Sequence, residues 1–227
     1  MKIRILNCAL AAPTVLLIAG AALSPGLESG LAQAQVKSAP PANQAAASET
    51  SKLPPMVRNG LPGPMHQHMN ALLGDWQVEM TLYIAGGTPE KPIISRDLTC
   101  HREWIAETGN RYMKDVTEGS VGGNRYYRMG LLGYSTIDKM YEWVTVDALN
   151  ANMMIYRGHS RDSSHDVSMA GEFTDQGVLG ERSVGKRVGM RTVIHVESPE
   201  RNIFELYVTP SNGREFLAAR AIYTRAK

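Results

Sequence analysis

About ten short stretches of this chain carry apolar and polar side chains at alternate positions, and this repeat of two restricts the fold more than anything else in the sequence. Leu72–Gly87 shows it most clearly: Trp76, Val78, Met80, Leu82 and Ile84 alternate with Gln77, Glu79, Thr81 and Tyr83. Successive side chains on a strand point to opposite faces, so the segment makes a strand with one apolar and one polar face. Gly74 permits a tight approach to it, and Gly86-Gly87 permits a hairpin reversal after it.

Further strands are expected over Ile93–Ile105, Asn110–Ser120, Arg125–Ser135, Met140–Asp147, Met153–Ser160, Asp166–Phe173, Arg182–Val188, Met190–Glu197, Asn202–Thr209 and Glu215–Thr224. Turn-forming residues separate many of them, among them Gly109-Asn110, Gly122-Gly123, Asp138-Lys139, Ser198-Pro199 and Asn212-Gly213. Short strands with short connections imply an all-β, antiparallel sandwich or closed barrel. The one convincing helix is Pro64–Leu73, with proline at its first turn and Met65, Met69 and Leu72 on one face. Lying just before the Trp76 strand, it suits a plug at one end of a barrel.

The N-terminus has a different character. Lys2 and Arg4 precede an apolar run from Ala9 to Leu23, and Ala32-Gln33-Ala34 offers small residues for cleavage. Residues 1–34 therefore read as a secretory signal peptide, the run being short of the ~20 residues a spanning helix needs. The mature chain is expected to be exported, periplasmic or secreted, and not membrane-spanning once processed. Asn7 before Cys8 argues against lipidation, and Cys100 is then left without a disulfide partner. Without Lys2, Arg4 and Glu28 the chain keeps 22 basic and 21 acidic side chains, a balance that does not suit nucleic acid. Residues 35–63, rich in Ala, Pro, Ser and Gln, read as a disordered linker, leaving 64–227 as one β-barrel domain.

Three motifs invite chemistry and fail on geometry. In Met65-His66-Gln67-His68-Met69 a helix places the methionines together but the histidines about 200° apart, so copper is not held and the histidines are expected in solvent. Gly180 to Lys186 has phosphate-loop spacing, yet Arg187 stands where a serine or threonine is required and a strand follows where a helix should. Cys100 and His101 are neighbours on a strand and face opposite ways, so they cannot act as a nucleophile and its base. An outer-membrane barrel fits poorly, since Ile93–Ile105 is charged on both faces and aromatic residues are few.

Several landmarks occur in a recognisable order. They are Leu72-Leu73-Gly74-Asp75-Trp76, Trp104-Ile105 before Gly109-Asn110-Arg111-Tyr112, Gly130-Leu131-Leu132-Gly133-Tyr134, Asp138 before Tyr141–Asp147, and Tyr223-Thr224-Arg225. In these the chain resembles bacterial domain-of-unknown-function family 1579, whose fold is similar to the lipocalin and nitrobindin barrels. The resemblance spans Pro64–Lys227 and implies a closed antiparallel barrel of about ten strands with a short N-terminal plug helix. It also implies an arginine from the last strand, Arg225 or else Arg220, packed over Trp76 at the closed end. It carries no catalytic residues to transfer. Nitrobindins hold heme through a late-strand histidine; here His195 has solvent parity and His159 is the other candidate, so neither heme nor another cofactor is expected. Related sequences tend to have tryptophan where this chain has Thr145, with Trp143 on the same face.

The expected function is a binding protein for a small, partly apolar, lipid-like ligand held inside the barrel. Tyr126, Arg128, Tyr141, Trp143, Arg157, His159 and Glu205 are the candidate lining, each joining an aromatic ring or a charge to a strand with apolar neighbours. An enzyme using His159 and Glu205 for acid–base chemistry is the alternative, and it requires both inside the cavity. A filled envelope or interaction module is a third reading.

Overall fold

A computed structural model describes residues 50–159 and 166–227. The expected leader and residues 35–49 of the expected linker lie outside the described residues. From Pro55 to Asn59 the rest of that linker forms a short exposed helix, α1, where a disordered tether was expected. Pro55 starts it favourably, and the barrel holds its end: Arg111 Nε donates to the Gly60 carbonyl and the Thr136 hydroxyl to that of Asn59. A second helix, α2 (Pro64–Met69), continues into a 3-10 turn at Asn70–Leu72.

Ten antiparallel strands follow: β1 (Gly74–Leu82), β2 (Ile93–Trp104), β3 (Tyr112–Val121), β4 (Asn124–Ser135), β5 (Met140–Asp147), β6 (Met154–Gly158), β7 (Asp166–Thr174), β8 (Arg187–Ser198), β9 (Arg201–Thr209) and β10 (Phe216–Arg225). Each pairs with its sequence neighbours, and β1 pairs with β10, closing the barrel. The two strands expected over 182–197 are one. Glu181–Ser183 is a 3-10 turn, and Gly189 continues the ladder opposite Thr209 rather than breaking it.

Alternation sets which side chains face inward, with one displacement that changes the reading. Between Val78 and Met80 the β1–β2 register shifts, inserting an extra residue in β2. Ser95, Leu98, Cys100 and Arg102 are consequently buried, while Arg96, which unbroken alternation would place on the face of Cys100, reaches Glu79 outside. The β3–β4 turn needs its glycines: Gly122 and Gly123 both have positive φ, 58° and 80°, as a two-residue hairpin joining Val121 to Asn124 requires.

The two ends of the barrel differ. At one, α2 and its 3-10 turn bring Met69 and Leu72 into the core beside Trp76. The Arg225 guanidinium lies 4.2 Å over the Trp76 ring and donates to the carbonyls of Leu73 and Pro199. Gly74 makes that approach possible, because a Cβ there would stand 2.6 Å from Arg225 Nη1. Arg220 is on the outer wall, 3.6 Å from Glu205. His66 also departs from expectation: it is buried, its Nδ1 accepting from the Gly63 amide while its ring packs against Trp104 and Tyr134. Burial, and then the charge of Arg111, lower its pKa. No described helix is long and apolar enough to cross a membrane.

Candidate ligand cavity and its charged floor

The end away from the plug is open. A cavity of about 620 Å³ fills that half of the barrel, within the ~300–1,000 Å³ common for small-molecule sites. Its walls are mainly apolar, with Met80 and Leu82 from β1, Phe173 from β7, Met190 from β8, and Phe204 and Leu206 from β9. Hairpin loops form the mouth. Asp175 braces one of them by accepting from the amides of Gly177, Val178 and Leu179. Gln176 ties that loop to the next one, accepting from the Ala151 amide and donating to the Leu149 carbonyl.

Below the cavity lies a buried polar cluster. Asp115 on β3 accepts from Arg102 Nε at 2.8 Å and from Arg128 Nη2 at 2.6 Å. Arg102 Nη1 donates to the Asn202 side-chain oxygen, and its guanidinium covers the Tyr223 ring at 4.2 Å. Arg128 Nη2 also reaches the Thr117 and Tyr223 hydroxyls. Burial alone would raise the Asp115 carboxyl, but Arg128 and then Arg102 outweigh it and hold the group below the usual carboxylate range. Two buried cations thus share one buried anion.

Arg128 also lines the cavity, its carbon Cζ 5.3 Å from the Trp143 ring. That ring packs against Tyr156 and, edge-on, against Phe204. Tyr126, Thr145 and Tyr156 complete this polar-tipped part of the lining. Burial pushes the Tyr126 and Tyr156 phenols well up, so both are neutral donors at physiological pH.

Of the residues expected inside, Tyr126, Arg128 and Trp143 meet at the cavity. Tyr141 is buried near the plug, its ring 5.1 Å from that of Tyr134, and burial pushes its phenol up to about 12. Arg157, His159 and Glu205 require correction. Met154 and Tyr156 take the inward parity of β6, so Arg157 turns outward to Glu142. His159 is exposed, with Nδ1 2.8 Å from the Lys139 carbonyl. Phe204, Leu206 and Val208 point inward on β9, which sends Glu205 outside to His195 and the Tyr207 hydroxyl. His159 and Glu205 therefore form no interior acid–base pair. His195, held 3.0 Å from Asp166, is on the outer wall too, so neither histidine considered for heme faces the interior.

Sequence reasoning overlooked Asp115, Asn202, Tyr156 and Tyr223 as site residues and left Arg102 out of the candidate lining. The signal was parity: Asp115 falls between Met113 and Thr117 on an inward face, and Asn202 shares the face of Phe204. Cys100 is buried, with burial raising its thiol, while His101 points outward to Asp75. No group of three or more His, Cys, Asp or Glu side chains among the described residues is placed to hold a metal.

Among solved structures the chain is similar to a barrel described as EF1p2_mFAP2b bound to DFHBI, at 13% identity and TM-score 0.37, over 71% of this chain and 99% of that one. It is similar to the redesigned beta barrel mFAP0 bound to DFHBI at 16% and 0.34, over 68% and 99%. It is also similar to the S-type phycobiliprotein lyase CPES from Guillardia theta at 9% and 0.31, over 77% and 99%. At such scores the likeness carries no argument about ligand or activity, so function has to be read from this chain's own residues. No curated protein matches the sequence. The family profile described as "Protein of unknown function (DUF1579)" matches residues 61–225, nearly the whole barrel with its plug, and the chain belongs to that family.

Proposed function

We propose that this protein is an exported binding protein that takes a small, partly apolar, lipid-like molecule into the open half of its barrel. The observation that supports this reading is the cavity of about 620 Å³, apolar along its walls and polar at its floor. A barrel evolved only as a structural module gains stability by filling such a space with side chains, since unfilled core volume is destabilising. Export is supported by Lys2 and Arg4, the apolar run behind them and the small residues of Ala32-Gln33-Ala34.

Native mass spectrometry of the protein purified from its own cell envelope tests the proposal. The expected result is a co-purified small molecule that is lost from a Thr145→Trp variant. Thr145 lines the cavity, and an indole there occupies the space the ligand needs. A variant that is folded and carries as much bound molecule as the parent would overturn the reading.

A further inference from the structure

The cavity floor is rich in hydrogen-bond donors and short of acceptors, and this imbalance specifies a headgroup. Arg102 and Arg128 are both buried, at 5% and 9% exposure, and among the described residues Asp115 is the only carboxylate bonded to either of them. Among the described residues all hydrogen bonds of Arg128 leave from Nη2, so Nε and Nη1 have no acceptor there; Nε is fully enclosed, which leaves Nη1 to meet a ligand. The indole Nε1 of Trp143, another lining residue, is also buried without an acceptor among the described residues. Neither Tyr126 nor Tyr156, both lining residues, has a hydrogen-bond partner for its hydroxyl among the described residues.

Asp147, the one carboxylate among the described cavity-lining residues, is already engaged at the rim. It accepts from the amides of Leu149 and Asn150 and from the Asn150 side chain. Asp147 stands opposite Arg128 in the β4–β5 register, but it is half-buried and its oxygens are turned to the mouth loop, so the surplus among the fully buried charges lies deeper inside. Such a surplus is costly, because a buried charge without a matching partner loses hydration and gains nothing in exchange.

Resting on the binding reading above, we infer that the ligand is an apolar monocarboxylate of the fatty-acid type, its carboxylate bound at Arg128 and its chain lying along the apolar wall. Arg128 Nη1 can donate a charge-assisted hydrogen bond to a carboxylate, and the neutral phenols of Tyr126 and Tyr156 beside it add donors without repelling the anion. One surplus positive charge suits one negative charge. The Met80, Leu82, Met190 and Leu206 side of the cavity then covers the methylenes, whose burial favours binding.

Isothermal titration of the folded protein with dodecanoate, dodecan-1-ol and dodecyltrimethylammonium, all below micellar concentration, tests the assignment. Dodecanoate is expected to bind at least about tenfold more tightly than the alcohol, and the cation not at all. Equal binding of acid and alcohol would overturn the headgroup inference while leaving the cavity reading standing. Binding of none of the three would overturn both. Arg128→Met should abolish the preference for the acid, whereas Arg128→Lys should retain part of it. An acid preference that survives intact in a folded Arg128→Met variant would remove Arg128 from the site. Should that variant not fold, the three headgroups compared on the parent chain decide the matter alone.

Discussion

Asp115 is the residue on which the barrel's interior charge balance turns. Its carboxylate is the shared acceptor for Arg102 and Arg128, and all three are buried. Asp115→Asn leaves two enclosed guanidiniums facing a neutral amide and should cost about 3–5 kcal/mol, measurable by urea denaturation. Trp76→Ala should cost a similar amount, about 3–5 kcal/mol, by emptying the plug end of its largest side chain. Arg225→Met, which leaves the ring in place, should cost about 0.5–2 kcal/mol. His66 makes a pH-dependent prediction. Its folded pKa is lowered, so below the ordinary value of 6.5 the unfolded chain binds the proton more readily. Stability from this residue is whole above that value and falls as pH drops toward the folded pKa. Between pH 7.5 and 5.5 the parent should therefore lose more melting temperature than His66→Gln. Trp76 was legible because a lone indole opens an apolar face. His66 was not, because its burial comes from Trp104 and Tyr134, which are remote in sequence.

At the level of strands, legibility depended on how unequal the two faces were. β5 was read with its exact ends, since Tyr141, Trp143 and Thr145 alternate with more exposed neighbours. β6 misled because Ile155 and Tyr156 place apolar groups on both parities; Ile155 is 54% exposed, and following it carried Arg157 and His159 to the wrong side. β2 misled differently, through a bulge that no alternation announces. The same ladders point to where the wall is weakest. Between β6 and β7, among the described residues, only Arg157 and Ala170 stand in register, whereas β3 and β4 pair along their whole length from Tyr112 to Val121. Amide hydrogen exchange should accordingly be faster in Met154–Gly158 than in Tyr112–Val121. Equal protection of the two would show that the barrel opens only as a unit.

For the molecule as a whole, closure and contents separate cleanly. Wall and plug were inferable from alternation, turns and one helix, but the open mouth and the charged floor required knowing which faces meet across the interior. Arg102 and Asn202 are a hydrogen-bonded pair separated by 100 residues. Because Arg157 and Glu205 sit outside, Arg157→Ala and Glu205→Ala should leave dodecanoate affinity unchanged within about twofold, well inside the range of ordinary surface substitutions. The seam between β1 and β10 has a consequence for biosynthesis. The cylinder is stitched by its first and last ribbons, with Trp76 opposite Arg225 and Leu82 opposite Ala219. A chain that emerges N-terminus first, from a ribosome or a translocation channel, must hold β1 as a bare edge until β10 arrives. Such an edge is sticky toward other chains, so safe passage depends on whatever shields nascent polypeptides during that wait.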